Sequence, residues 1–156
     1  MVRMLTHSLI DRLMDDDPSA AVDRLESEEE SFMRLKVALR RDLESLLNTT
    51  RPWLPATGRY GGLEDTILAY GIPDMSTEDM SVPAVRERTR MTIAQVIARH
   101  EPRLSNVEVE VDETLGARGL RLRIAAVLTI LQSEEPIVFE AKVRPGDRAI
   151  DVALPA

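Results

Sequence analysis

Apolar side chains recur every three or four residues through roughly the first hundred positions and every second residue after that. The chain therefore divides into a helical first half and a stranded second half. Residues 4 to 14, MLTHSLIDRLM, place Leu5, Leu9, Leu13 and Ile10 on one face of a short amphipathic helix. Ser27 and Glu30 have capping-box spacing, and Phe32, Leu35, Leu39, Leu43, Leu46 and Leu47 then form the inner stripe of a long helix. Pro52 and Pro55 cannot continue it, so it should stop near Asn48-Thr49-Thr50. LEDTILAYG reads as a two-turn helix with Gly71 as a left-handed cap, closed by Ile72-Pro73-Asp74. A third core helix starts around Ser81, with Pro83 in its first turn and Val85, Thr89, Ile93, Val96, Ile97 and His100 inward.

At HEPRLSNVEVEV the period changes. Val107, Val109 and Val111 alternate with Glu108, Glu110 and Asp112, which describes a half-buried strand. In the next strand Leu120, Leu122, Ile124, Ala126, Leu128 and Ile130 share one face, opposite Arg121 and Arg123. A hairpin through DETLGARG sets the acid row against this arginine pair. Ile137, Phe139, Ala141 and Val143 point inward from a third strand, and Pro145-Gly146-Asp147 turns into a fourth bearing Ile150, Val152 and Leu154. Helices followed by hairpin-linked strands predict an α+β fold, with N-terminal helices packed on one face of a mainly antiparallel sheet formed by the C-terminal half. Residues 1–26 read as a docking helix and an acidic flexible connector, and residues 27–156 as a single domain.

Composition narrows the function more than the fold. With 27 acids against 20 bases and a net charge of −7, no global field draws the chain to nucleic acid or to an anionic membrane. No apolar run approaches the ~20 residues of a membrane span, and the first residues lack the core of a signal peptide, so membrane insertion is not expected and the compartment is read as cytoplasmic. Cysteine is absent, which excludes thiol chemistry, cysteine-ligated metal and disulfides. Phe32, Trp53, Tyr60, Tyr70 and Phe139 are the only rings, and they are too dispersed in sequence for a stacking platform.

Candidate chemistry is correspondingly thin. His7 and His100 lie on different helices without ligand spacing, so no metal site and no cofactor is expected; His100 is assigned to the inner stripe or to its own helix end. Gly58, Gly61 and Gly62 precede a helix, but no lysine and hydroxyl follow to cradle phosphate. Glycoside hydrolysis needs two carboxylates in unlike environments, whereas the acids here fall in solvated patterns. Glu101 is the exception in position, yet an arginine two residues on favours the charged form of a carboxylate, the wrong one for a proton donor. No catalytic residue is assigned.

The segments SLIDRL, LRRDLESLLNTTRP, LEDTILAYGIPD, IARHEPRLSNVEVEV, LRLRIAAVL and EPIVFEAKV occur in an order and spacing that resemble the TssE family. These are small baseplate subunits of bacterial type VI secretion, similar to a baseplate wedge protein of contractile-tailed phages. The resemblance runs from Ser8 to about Val143, and its most specific piece is Glu101-Pro102-Arg103. It implies a structural, non-catalytic part of a baseplate-wedge-like domain, joining TssF and TssG, lying near TssK, and serving as the template on which the TssB/TssC sheath assembles. The implied location is cytoplasmic, at the baseplate beside the inner membrane. A lysozyme-like label carried by some relatives finds no support in the acids of this chain. A regulatory protein-binding module of related fold and a peptidoglycan hydrolase are the alternative readings.

Two sets of residues are candidates for partner binding: Glu101, Pro102 and Arg103, and Leu5, Leu9 and Leu13. Each has an intramolecular alternative. The first set equally describes a clasp in which Arg103 pairs with Glu101 or a helix-end carbonyl, and the second a helix folded back on its own core.

Overall fold

The computed structural model describes residues 13, 27–52, 62, 66–75, 78–116, 119–130, 133–144 and 149–155. The expected helix over residues 4 to 14, the acidic connector, the loop carrying Trp53 and Tyr60, and the Pro145-Gly146-Asp147 turn therefore lie outside the described residues, apart from Leu13, which is exposed.

Helix α1 spans Glu28–Asn48. Its start is fixed by the capping box: the Glu30 amide donates to Ser27 Oγ at 3.2 Å, and the Ser27 amide donates to Glu30 Oε2 at 2.9 Å. Leu35, Leu39, Leu43, Leu46 and Leu47 are buried along one face, as the leucine spacing predicts. Helix α2 spans Pro83–His100, with proline where its missing amide costs nothing and Thr89, Ile93, Val96 and Ile97 buried.

Between the helices the chain departs from the expected two-turn helix. Only Ile67–Ala69 is helical among the described residues there, as a single 3-10 turn. The following residues pair with the segment leaving α1 instead: the Ile72 amide donates to the Thr49 carbonyl at 2.8 Å, and the Arg51 amide donates to the Ile72 carbonyl at 2.9 Å. Gly71 allows this approach. It has φ +102, and a Cβ there would collide with the Thr49 carbonyl.

Four strands follow: β1 Leu104–Gly116, β2 Gly119–Ile130, β3 Ser133–Val143 and β4 Ile150–Ala153. They pair antiparallel in chain order, β1-β2-β3-β4. The first strand is less regular than its sequence. A bulge between Ser105 and Glu108 sets two residues against Ala126, and Asn106 within it has φ +50, a conformation that asparagine tolerates better than most residues. Beyond the bulge, Glu110 lies opposite Arg123 and Asp112 opposite Arg121, the predicted register. Glu110 and Arg123 form an exposed ion pair at 3.3 Å, worth at most ~1 kcal/mol.

One sheet face is dry. Val109, Leu122, Ile124, Ala126, Leu128, Ile137, Phe139, Ala141, Ile150 and Val152 are buried against the leucines of α1 and the inner stripe of α2. Leu120 and Ile130, expected on the same face, lie outside the described side chains. The helices divide the sheet between them, α1 over β4 and α2 over β1. This is the α+β arrangement the hydrophobic pattern implies. No helix among the described residues is long and apolar enough to cross a membrane.

The shortest strand is held by α1 as well as by β3. Asn48 Nδ2 donates to the Ile150 carbonyl at 2.8 Å, and its Oδ1 accepts from the Ile150 amide at 2.9 Å, so this side chain imitates a strand neighbour. Arg40 donates to the Val152 carbonyl at 3.0 Å while paired with Glu44 at 2.6 Å. Asn48→Ala leaves both polar groups of Ile150 without these partners and should cost ~1–3 kcal/mol of stability. Urea unfolding measures this, and a loss below ~0.5 kcal/mol would mean that water replaces Asn48 freely.

Candidate functional site

Glu101-Pro102-Arg103 forms the corner where α2 becomes β1. The helix ends because Pro102 cannot continue it, and the Glu101 amide makes the last helical bond, to the Ile97 carbonyl at 2.8 Å. The Leu104 amide then bonds back to the Glu101 carbonyl at 3.1 Å, closing a tight turn. The Arg103 carbonyl accepts from the Thr129 amide at 2.9 Å, so the corner is already stitched to β2 before β1 begins.

The carboxylate of Glu101 is turned inward. The residue is only 6% exposed, an unusual place for a charge. Arg103 compensates it with three donors: its backbone amide at 3.2 Å, Nε at 2.6 Å and a terminal guanidinium nitrogen at 2.5 Å. The same terminal nitrogen reaches Asp42 of α1 at 2.7 Å, and Asp42 also accepts from Arg41 at 3.3 Å. Its bonds to Glu101 hold the Arg103 guanidinium above even its ordinary basic range, against the opposing effect of burial and with Asp42 adding to the rise. Bidentate arginine-carboxylate geometry suits this position, because the planar donors of the guanidinium meet both oxygens of the carboxylate.

A second set of contacts extends the corner. His100 Nε2 donates to the Ala69 carbonyl at 3.1 Å, and its ring meets the edge of Tyr70 with centroids 5.4 Å apart. His100 thus tethers the 66–72 segment instead of capping its own helix. Burial raises the pKa of the Tyr70 phenol, the nearby Ser45 hydroxyl of α1 lowers it, and the charges of Asp42 and Glu101 raise it further. Four elements meet through polar contacts here: α1, the 66–72 segment, the end of α2 and the start of the sheet.

The candidate residues are therefore unlike one another in exposure. Pro102 is exposed, Arg103 is half-buried, and Glu101 is buried. Leu13 is 76% exposed, while Leu5 and Leu9 lie outside the described residues. The sequence indicated the Glu101–Arg103 clasp but not its third member, Asp42, which is one of two acids two residues apart beside the apolar stripe of α1. Among the described residues no group of three His, Asp or Glu side chains could hold a metal ion. A shallow, open depression on α1 is lined by Arg40, Arg41, Glu44, Ser45 and Asn48. Its single carboxylate, Glu44, is paired with Arg40, whereas glycoside hydrolysis requires two carboxylates in unlike environments.

The clasp makes an asymmetric prediction about stability. Arg103→Ala strands a buried carboxylate and should cost ~3–5 kcal/mol. Glu101→Ala leaves Arg103 more exposed but still beside Asp42 and should cost less, ~1–3 kcal/mol. Urea unfolding of both single variants and the double variant checks this; additive losses would mean that the two side chains do not act as a pair.

Comparison with known proteins adds to this geometry. A search of curated proteins finds no match. Residues 33–132, from the first turns of α1 past the end of β2, match the family described as Baseplate wedge protein gp25. The match contains the whole clasp, Asp42 together with Glu101, Pro102 and Arg103, and covers well over half of the chain. On that match, the protein whose α2–β1 corner is locked in this way belongs to the baseplate wedge protein gp25 family.

Proposed function

We propose that this chain is a structural component of a baseplate, of the TssE kind found in bacterial type VI secretion, joining TssF and TssG in the wedge, near TssK, and offering a sheet edge on which the TssB/TssC sheath begins. The reading rests on the family match across the clasped corner. Its location would be cytoplasmic, at the baseplate.

Two features support the division of labour. The first is the corner itself. An assembly that transmits force needs a junction that does not deform, and here one desolvated carboxylate with three donors fixes the end of α2 relative to the sheet. The corner presents Pro102 and the outer part of Arg103 to a partner, with Glu101 setting the arginine from beneath. Leu5, Leu9 and Leu13 remain a second candidate contact, as an amphipathic helix for a partner's groove.

The second feature is the difference between sheet edges. The outward amide and carbonyl of Ile150 on β4 are engaged by Asn48, and the outward carbonyl of Val152 by Arg40. The first half of β3 extends beyond β4, but Pro136 lacks an amide there and Glu134 and Glu135 are exposed on either strand face, a common protection against pairing. On β1 the register and the Thr129–Arg103 bond direct Glu108 and Glu110 toward β2, so the backbone groups of Val109 and Val111 point away from the sheet. Among the described residues only the Val109 carbonyl is engaged, by Arg90 at a long 3.3 Å. The edge that accepts a neighbour's strand is β1.

Co-expression with TssF, TssG, TssB and TssC separates the two contacts. Pro102→Asp changes an exposed side chain and should reduce recovery of TssF and TssG with little change in melting temperature. Val111→Pro removes an outward amide, so the β1–β2 ladder keeps its bonds; it should retain TssF and TssG and lose sheath protein. Undiminished wedge recovery by Pro102→Asp takes the corner out of the interface, and undiminished sheath recovery by a folded Val111→Pro takes β1 out of the template.

A further inference from the structure

The β1 edge also carries chemistry that selects what pairs with it. Beyond the bulge the strand presents Val109 and Val111 to the dry face and Glu108 and Glu110 to the wet one. Glu110 is matched across the sheet by Arg123, but on the outer side neither acid has a neighbouring strand. An antiparallel strand laid along β1 places the Cβ atoms of its own wet-face residues about 4.5–5.5 Å from those of Glu108 and Glu110, so that their charged ends meet.

Among the described residues Arg90 is the one cation at this edge that touches the backbone. It projects from α2, is held by Glu87 through Nε at 2.8 Å and a terminal nitrogen at 2.5 Å, and lends its remaining nitrogen to the Val109 carbonyl. That last contact is the weakest of the three at 3.3 Å. The charge of Glu108 also acts on it. An incoming strand needs the Val109 carbonyl for its own amide and must displace this nitrogen. Once displaced, Arg90 keeps its pair with Glu87, so release leaves no cation stranded.

We propose that β1 accepts a strand of alternating apolar and basic residues, apolar toward the helices and basic over Glu108 and Glu110, and that Arg90 guards the edge until such a strand displaces it. This rests on the reading of β1 as an acceptor edge and specifies the partner: an extended segment of a protein, with lysine or arginine at every second position.

The test uses the full chain and two labelled, end-blocked peptides of eight residues on the order of one strand's length, one alternating valine with lysine and the other valine with glutamate. Fluorescence anisotropy reads binding at low salt. The lysine peptide should bind more tightly, on the order of tenfold for two opposite-charge pairs replacing two like-charge pairs. Glu108→Lys with Glu110→Lys should invert the preference, Arg90→Ala should tighten the lysine peptide several-fold, and Val111→Pro should abolish binding. Thermal melts establish that each variant is folded. If both peptides bind wild type equally and Val111→Pro still abolishes binding, the charge rule is wrong and the acceptor edge stands. An Arg90→Ala variant that binds no more tightly removes the guard. Equal binding by folded Val111→Pro, or no binding of either peptide to wild type or Arg90→Ala, overturns the acceptor edge itself.

Discussion

A charge taken out of water must be answered within the chain, and here the answer organises the domain. Glu101 is buried at the point where a helix has to become a strand, and the backbone amide, Nε and a terminal nitrogen of Arg103 converge on its carboxylate. Because two of these donors belong to the side chain that follows the proline, satisfying the charge also sets the direction in which the chain leaves. The Arg103 carbonyl then enters the sheet ladder at Thr129, and the guanidinium reaches across to Asp42. One electrostatic requirement thereby fixes α2, β1, β2 and α1 relative to one another. An apolar corner of the same shape would avoid the desolvation cost but would lack this directional constraint.

What the sequence discloses and what it conceals follow from the range of each interaction. The start of α1 is written in Ser27 and Glu30, three residues apart, and the wet and dry faces of β1 and β2 in the alternation of valine or leucine with charge. The Glu101–Arg103 clasp was legible for the same reason, at a separation of two residues. Asp42 was not, lying 61 residues from Arg103, nor were Asn48 and Arg40, which meet β4 across 102 and 112 residues. Such contacts exist only once the helices have docked. The 66–72 segment departs from its sequence pattern for a related reason. LEDTILAYG has a helical pattern, but a parallel bridge from Thr50 to Ile72 competes for the same backbone and prevails after Ala69. The bulge had a faint local sign in Asn106, a residue type suited to positive φ, but simple alternation gave no means of placing it.

The two helices treat their sheet edges alike in kind and unlike in degree. Each sends an arginine, steadied by a glutamate of the same helix, to an outward carbonyl: Arg40 with Glu44 to Val152, and Arg90 with Glu87 to Val109. Only α1 adds an asparagine that completes a strand-like pair. Strand length accounts for the difference before any function is considered. β4 has four residues and a correspondingly short ladder to β3, so without bonds from α1 it is poorly held; β1 has thirteen, and its ladder to β2 suffices. The contacts that keep β4 in the sheet are the same ones that close it to a newcomer. Its stability and its inaccessibility are one property, and the longer edge left without an asparagine of this kind is β1, the strand that begins at the clasped corner. A partner pairing there bears on the part of the domain that four elements already hold in place.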